Sequence, residues 1–162
     1  MNYLLFTILT GIGATAMMDI WTIIRKKCFG IALPNYGLVG RWIAHMRHGC
    51  FRHKSIASAP PVHGEHLLGW VSHYVIGIAF AALLILINGD SWIHNPSIGP
   101  AIAVGVCTVA APFFLMQPSI GAGIAASRTP RPNAARLQSL ITHTIFGLGL
   151  FTSGWVLHRQ GL

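Results

Sequence analysis

Long apolar blocks alternate with short polar stretches along this chain, and four of the blocks dominate it: residues 3–24, 67–87, 98–117 and 137–157. Each approaches or exceeds the ~20 residues that an α-helix needs to cross a bilayer. A helix on the surface of a soluble bundle would carry a polar stripe at every third or fourth position. The run "IGIAFAALLILI" in the second block has no polar side chain at all. The pattern therefore predicts an all-α, polytopic membrane protein: a single transmembrane domain over residues 1–162, with four transmembrane helices and longer connections at 25–66 and 118–136.

The first connection has a pattern of its own. In "NYGLVGRWIAHM" the apolar residues Tyr36, Val39 and Ile43 recur at helical spacing beside Arg41, Trp42 and His45. That predicts an amphipathic helix lying on the cytoplasmic interface, with Trp42 at headgroup level; an irregular loop is the alternative. Pro60 and Pro61 then stop any helix before the second span. Short turns marked by Gly and Pro are expected to join the remaining spans.

Composition sharpens this picture. The chain is 53% hydrophobic and 9% charged, with only three acidic residues, Asp19, Glu65 and Asp90. A soluble domain carries roughly 25% charged residues, so this inventory cannot easily cover a water-facing surface. The cations are unevenly placed: Arg25, Lys26, Lys27, Arg41, Arg47, Arg52 and Lys54 lie in the first connection, and Arg128, Arg131 and Arg136 in the third. The second connection has none, and the tail has Arg159 alone. By the positive-inside rule the first and third connections are expected in the cytoplasm and both termini outside.

The same asymmetry explains the net charge of +8. Basic residues beside membrane helices attract anionic lipid, and no aromatic-interleaved basic patch points to nucleic acid. Ala14-Thr15-Ala16 resembles a signal-peptidase site, but the positive charges follow the apolar run instead of preceding it, so a retained helix is expected. Cys28 and Cys50 fall on the reducing side and Cys107 within the third span; no structural disulfide is expected. Small-residue faces, including Gly149 and Ser153, suit a homodimer.

Two decapeptides echo each other. "VSHYVIGIAF" (71–80) and "ITHTIFGLGL" (141–150) each set a histidine after a small hydroxyl residue and place a glycine four positions later. "SIASAPP" and "GIAASRTPRP" precede the two spans, and "TGIGATA" and "VGVCTVAA" occupy the spans before them. The expectation is a tandem hairpin repeat in one orientation, set against chance similarity between short apolar windows.

Polar residues inside these spans are the candidates for chemistry. A charged side chain near the bilayer centre costs about 2.5–3.5 kcal/mol on insertion scales, and Asp19 sits inside the first span behind a stripe of Gly11 and Thr15. His73 and His143 lie about two turns inside the cytoplasmic starts of their spans, Gln117 ends the third span at that same level, and Arg128 follows it. Asp19, His73, Gln117, Arg128 and His143 are therefore expected to form a polar pocket open to the cytoplasm. Helix packing with each polar group satisfied by a neighbour is the alternative.

The favoured function is a small-solute or proton-coupled transporter, in which Asp19 and the histidines handle protons or solute and Arg128 favours an anionic group. One competing class is a membrane redox protein with b-type haem, or another metal, held by His73 and His143. The other is a scaffold subunit without chemistry. "HMRHGCFRH" offers His45, His48, Cys50 and His53 as weak candidate ligands for zinc or copper, against which stand Arg47, Arg52 and Lys54. No cofactor is favoured. Nucleophile-elbow, zinc-protease and phosphate-loop motifs are all absent, which disfavours an enzyme.

At "GIGATAMMDIW", "NYGLVGRWIAHM", "FRHKSIASAPPVHGEHLLGWVSHYVIGIAFA", "APFFLMQPSIGAGIAASRTP" and "ARLQSLITHTIFGLGLF" the chain resembles a bacterial family catalogued as domain of unknown function 2938. The resemblance covers nearly the whole length. It implies a small inner-membrane protein of four spans and carries over no activity, ligand or catalytic residue.

Overall fold

In the computed structural model, which describes residues 2–161, the predicted helical pattern is realised and no strand occurs among the described residues. The helices are α1 (Tyr3–Phe29), α2 (Tyr36–Met46), α3 (Glu65–Asn88), α4 (Asp90–His94), α5 (Ile98–Cys107), α6 (Gln117–Ser119) and α7 (Pro132–Arg159). Four stretches are long and apolar enough to cross a membrane: Tyr3–Phe29, Glu65–Asn88, Ile98–Ser119 and Pro132–Arg159. All four blocks read from the pattern are there, extended by a few residues at their ends.

Local chemistry sets several boundaries. Asn2 caps α1 by accepting from the Leu5 N–H, and α1 ends at Gly30, whose left-handed φ of 65° lets its N–H return to the Lys26 carbonyl. A residue with a Cβ resists that conformation. Asn35 caps α2 through the Gly37 N–H. The third span is not uniform, because Ala111–Met116 is π-helical and the Gln117 N–H reaches back five residues to the Pro112 carbonyl. Pro112 has no N–H to give to a regular ladder, which suits it to such a widened turn.

Two compact units are distinguished. The first comprises Met1–Leu33, Tyr74–Thr108 and Leu140–Leu162. Its core is Phe6, Ala14, Ala81, Leu84, Trp92, Ile93, Ala101, Val104, Phe146 and Leu150. Backbones approach closely there: the Gly11 Cα faces Ile78, Gly149 faces Ala14, and Gly105 faces Gly147. In lipid, where burying apolar area gives no advantage over facing acyl chains, such small-residue contacts hold helices together.

The second connection was expected as a simple turn. It contains α4, whose Trp92 is buried, lies edge-on to Phe6 at 6.5 Å and donates to the Ser97 carbonyl. An indole needs both an apolar seat and one acceptor, and this turn supplies both. Large apolar side chains face outward elsewhere, Leu86 at 81% exposure being the extreme. Water would not tolerate that surface over four helices.

The second unit comprises Pro34–His73 and Val109–Ser139. Here the stretch Tyr36–Met46 is helical, not an irregular loop, and α2 lies tight against the start of α3: a Cβ on Gly40 would strike the Glu65 carbonyl, and one on Gly69 the Tyr36 carbonyl. Three side chains of α2 organise the residues after it. Arg41 forms a two-pronged bridge to Glu65, Nε to Oε2 and Nη2 to Oε1, both at 2.8 Å, while Nη1 donates to the carbonyls of Ile56, Ala57 and Ala59. Trp42 donates to the Phe51 carbonyl, and His45 Nε2 meets the Pro60 carbonyl at 3.1 Å. Backbone bonds from His53 to Ser119 and from Ile56 to Ile120 join the two long connections to each other. Ala125 and Ala126 have left-handed φ values of 46° and 59°, with Arg136 Nε donating to the Ala125 carbonyl.

Candidate functional site

Asp19 lies on α1, one turn beyond the buried Thr15, and is half-buried. Its Oδ2 accepts the Tyr74 phenol at 3.0 Å. Close approach of α1 and α3 makes this possible: Gly77, one turn past Tyr74, seats directly against the Thr15 side chain. A carboxylate inside an apolar span thus meets a neutral hydroxyl donor from the next span.

His143 on α7 is also half-buried, and its Nδ1 lies 3.0 Å from the Thr108 hydroxyl, which itself donates to the Gly105 carbonyl at 2.6 Å. A hydroxyl whose proton is committed to a carbonyl has only lone pairs left. The Thr108 oxygen is thus an acceptor for a proton on His143 Nδ1. Gly147, four residues on, packs on Ala101 and Ile102 of α5. Each histidine-plus-four glycine therefore seats against the span that precedes it, Gly77 on α1 and Gly147 on α5.

The other three residues of the expected pocket belong to the second unit. His73 stacks on Tyr36 with ring centroids 4.3 Å apart, and the Tyr36 phenol is 3.0 Å from its Nε2. Trp70 lies edge-on to it at 6.1 Å. Iron ligation through that nitrogen would require Tyr36 to leave. Gln117 Oε1 is buried with no hydrogen-bond partner among the described residues. Arg128 is exposed and lines an open, basic cleft of about 490 Å³ together with Arg52, His53 and Lys54.

Of the four candidate metal ligands, three come together. His45 Nδ1 and His53 Nε2 are 3.2 Å apart, and Cys50 Sγ is 3.5 Å from the same His53 nitrogen. All three ligand atoms lie within 4.8 Å of one another. His48 is not among them; its Nε2 accepts from Arg47, and both are exposed. The three cysteines are all free and exposed.

Sequence reasoning missed the hydroxyl partners Tyr74, Tyr36 and Thr108, and the Arg41–Glu65 bridge. A signal for the bridge was present. Glu65 is one of only three acids in the chain and opens the second span four residues after a double proline. An acid so placed needs a cation nearby, and α2 carries one on its polar side. The Glu65 carboxylate raises the Arg41 pKa above its ordinary value, chiefly through the direct hydrogen bonds.

Four membrane-length helices place the chain among polytopic membrane proteins. It belongs to the family described as Protein of unknown function (DUF2938), which matches residues 8–157. No curated protein and no solved structure matches it.

Proposed function

We propose that this protein is a small bacterial inner-membrane transporter that couples movement of a polar solute to a proton carried on Asp19. The observation that supports the reading is the pairing of Asp19 with the Tyr74 phenol between two apolar spans. An ionisable residue held inside a span is costly, and it marks a proton or substrate path by default. A carboxylate hydrogen-bonded to a phenol can gain and lose a proton. His143, hydrogen-bonded to Thr108 in the same unit, is a second group able to carry a proton. The distribution of cations favours both termini outside, with the basic connections facing anionic headgroups on the cytoplasmic side.

The test is proton flux in proteoliposomes under an imposed pH gradient, read with an entrapped pH dye across a panel of small polar solutes. Asp19→Asn should lower solute-driven proton flux by roughly tenfold or more, the scale of a lost proton carrier. Tyr74→Phe, which keeps the ring and removes only the donor, should reduce it less. Flux undiminished in Asp19→Asn would end the proposal. A scaffold role is the second reading, supported by the hydroxyl partners of both histidines: absence of flux with every solute, together with a melting temperature lowered by Tyr36→Phe, would favour it.

A further inference from the structure

The cluster of His45, Cys50 and His53 belongs to the second unit, and its geometry goes beyond the proposal above. Three- or four-coordinate ions with metal–nitrogen and metal–sulfur bonds of ~2.0–2.3 Å hold their ligand atoms about 3.3–3.7 Å from one another. The two closest edges of the cluster are 3.2 and 3.5 Å. They meet at His53 Nε2, and the third ligand pair lies within 4.8 Å.

Protonation states follow from the neighbours. The Pro60 carbonyl can only accept, so His45 Nε2, 3.1 Å away, carries that ring's proton. In a neutral imidazole the other nitrogen then holds a bare lone pair. His45 Nδ1 is thus unprotonated and aimed at His53 and Cys50. A backbone carbonyl fixing the far nitrogen is the outer support that metal-binding histidines characteristically have. The support is itself braced, because Arg41 Nη1 holds the adjoining Ala59 carbonyl at 3.0 Å. At the other end, the His53 N–H is bonded to the Ser119 carbonyl at 2.8 Å. The cluster therefore sits on a tied-down backbone and lines a cleft of about 400 Å³.

Arg52 and Lys54 line that same cleft, and their charge selects the ion. Two neutral imidazoles and one thiolate bring a single negative charge. With a divalent ion the site would be left positive among cations; with copper(I) it is neutral. Imidazole and thiolate are also donors that copper(I) accepts readily.

We propose that His45 Nδ1, His53 Nε2 and Cys50 Sγ together bind one copper(I) ion. On binding, the Cys50 thiol proton leaves to solvent and the His53 ring proton passes to Nδ1, so the two nitrogens and the sulfur each present a lone pair. No change in copper oxidation state is involved.

The experiment uses the full chain in detergent micelles under anaerobic, reducing conditions, with copper(I) supplied as a coloured chelator complex. One equivalent should be withdrawn per chain, and X-ray absorption of the loaded protein should show nitrogen and sulfur neighbours in a two-to-one ratio. Cys50→Ser and His53→Ala should each weaken binding roughly tenfold or more, within the range for removal of a metal-site contact. His48→Ala and Cys28→Ser should leave it unchanged. Cys50 is exposed in a loop, so its replacement spares the fold, and a matching circular dichroism spectrum verifies that. No copper withdrawn, equal binding by Cys50→Ser, or zinc(II) bound in preference to copper(I) would each overturn the proposal. None of these readouts depends on flux.

Discussion

Gly105→Leu is expected to leave no stably folded protein in detergent, and even Gly105→Ala should lower the thermal midpoint measurably. A Cβ at this position would lie 2.5 Å from the Gly147 Cα, 2.7 Å from the Gly147 nitrogen and 2.8 Å from the His143 carbonyl oxygen. All three are backbone atoms of α7, so no rotamer change relieves the overlap; the two helices must separate. Overpacking a core with added methyl-sized groups ordinarily costs about 1–3 kcal/mol, and alanine should fall toward the upper end because the obstacle is main chain. Leucine would also part Ala101 and Val104 from Phe146 and pull Thr108 from His143. Gly99 provides the control, since a Cβ there meets nothing within 4 Å. Thermal scans by circular dichroism should rank the variants Gly99→Ala, Gly105→Ala, Gly105→Leu in order of falling midpoint. A Gly105→Ala midpoint equal to that of the parent would show that these helices do not touch as described.

Arg41→Ala is the second change of large effect. It strips the partner from Glu65, a carboxylate left only 9% exposed, and frees three carbonyls at once. An uncompensated buried charge is worse than the absence of the pair. Arg41→Lys retains the charge but has one ammonium where the guanidinium has a fork, so it cannot hold both carboxylate oxygens and the carbonyls of Ile56, Ala57 and Ala59 together. Both variants should expose residues 56–65 to hydrogen exchange, by roughly tenfold or more for alanine and less for lysine, because opening there becomes a local event. Alkaline pH should not mimic them. Arg41 has its pKa raised by Glu65, so its contribution is complete below the ordinary guanidinium value and is lost only as pH rises through the higher one. Exchange at 56–65 that accelerates between neutral pH and pH 9 beyond the intrinsic rate would contradict this.

Much of the fold was legible because lipid imposes a simple rule, and runs such as "IGIAFAALLILI" obey it without exception. The helix Tyr36–Met46 was legible for a related reason, since Tyr36, Val39 and Ile43 keep helical spacing. Trp92 was not foreseen as core, because an indole in a polar turn reads equally well as an interface anchor. The candidate residues were found by type, whereas their partners were not. Hydroxyls are common and weakly patterned, so nothing in the neighbourhood of Thr108 or Tyr74 announces a hydrogen bond to a residue 35 or 55 positions away. The metal candidates show the converse. "HMRHGCFRH" contains the three residues that come together, His45, Cys50 and His53, but the spacing alone could not separate them from His48, which lies beyond the end of α2.

The widened turn at Ala111–Met116 carries one residue more than a regular helix would use over the same rise. Deleting one residue there, Phe114 for example, would let the ladder close in the ordinary i-to-i−4 register while keeping a continuous helix. Everything downstream would then swing by about 100° around the axis. Gln117, whose buried Oε1 has no hydrogen-bond partner among the described residues, would be carried to a different compass bearing. The extra residue thus acts as a rotational spacer: it decides which way the end of the third span looks.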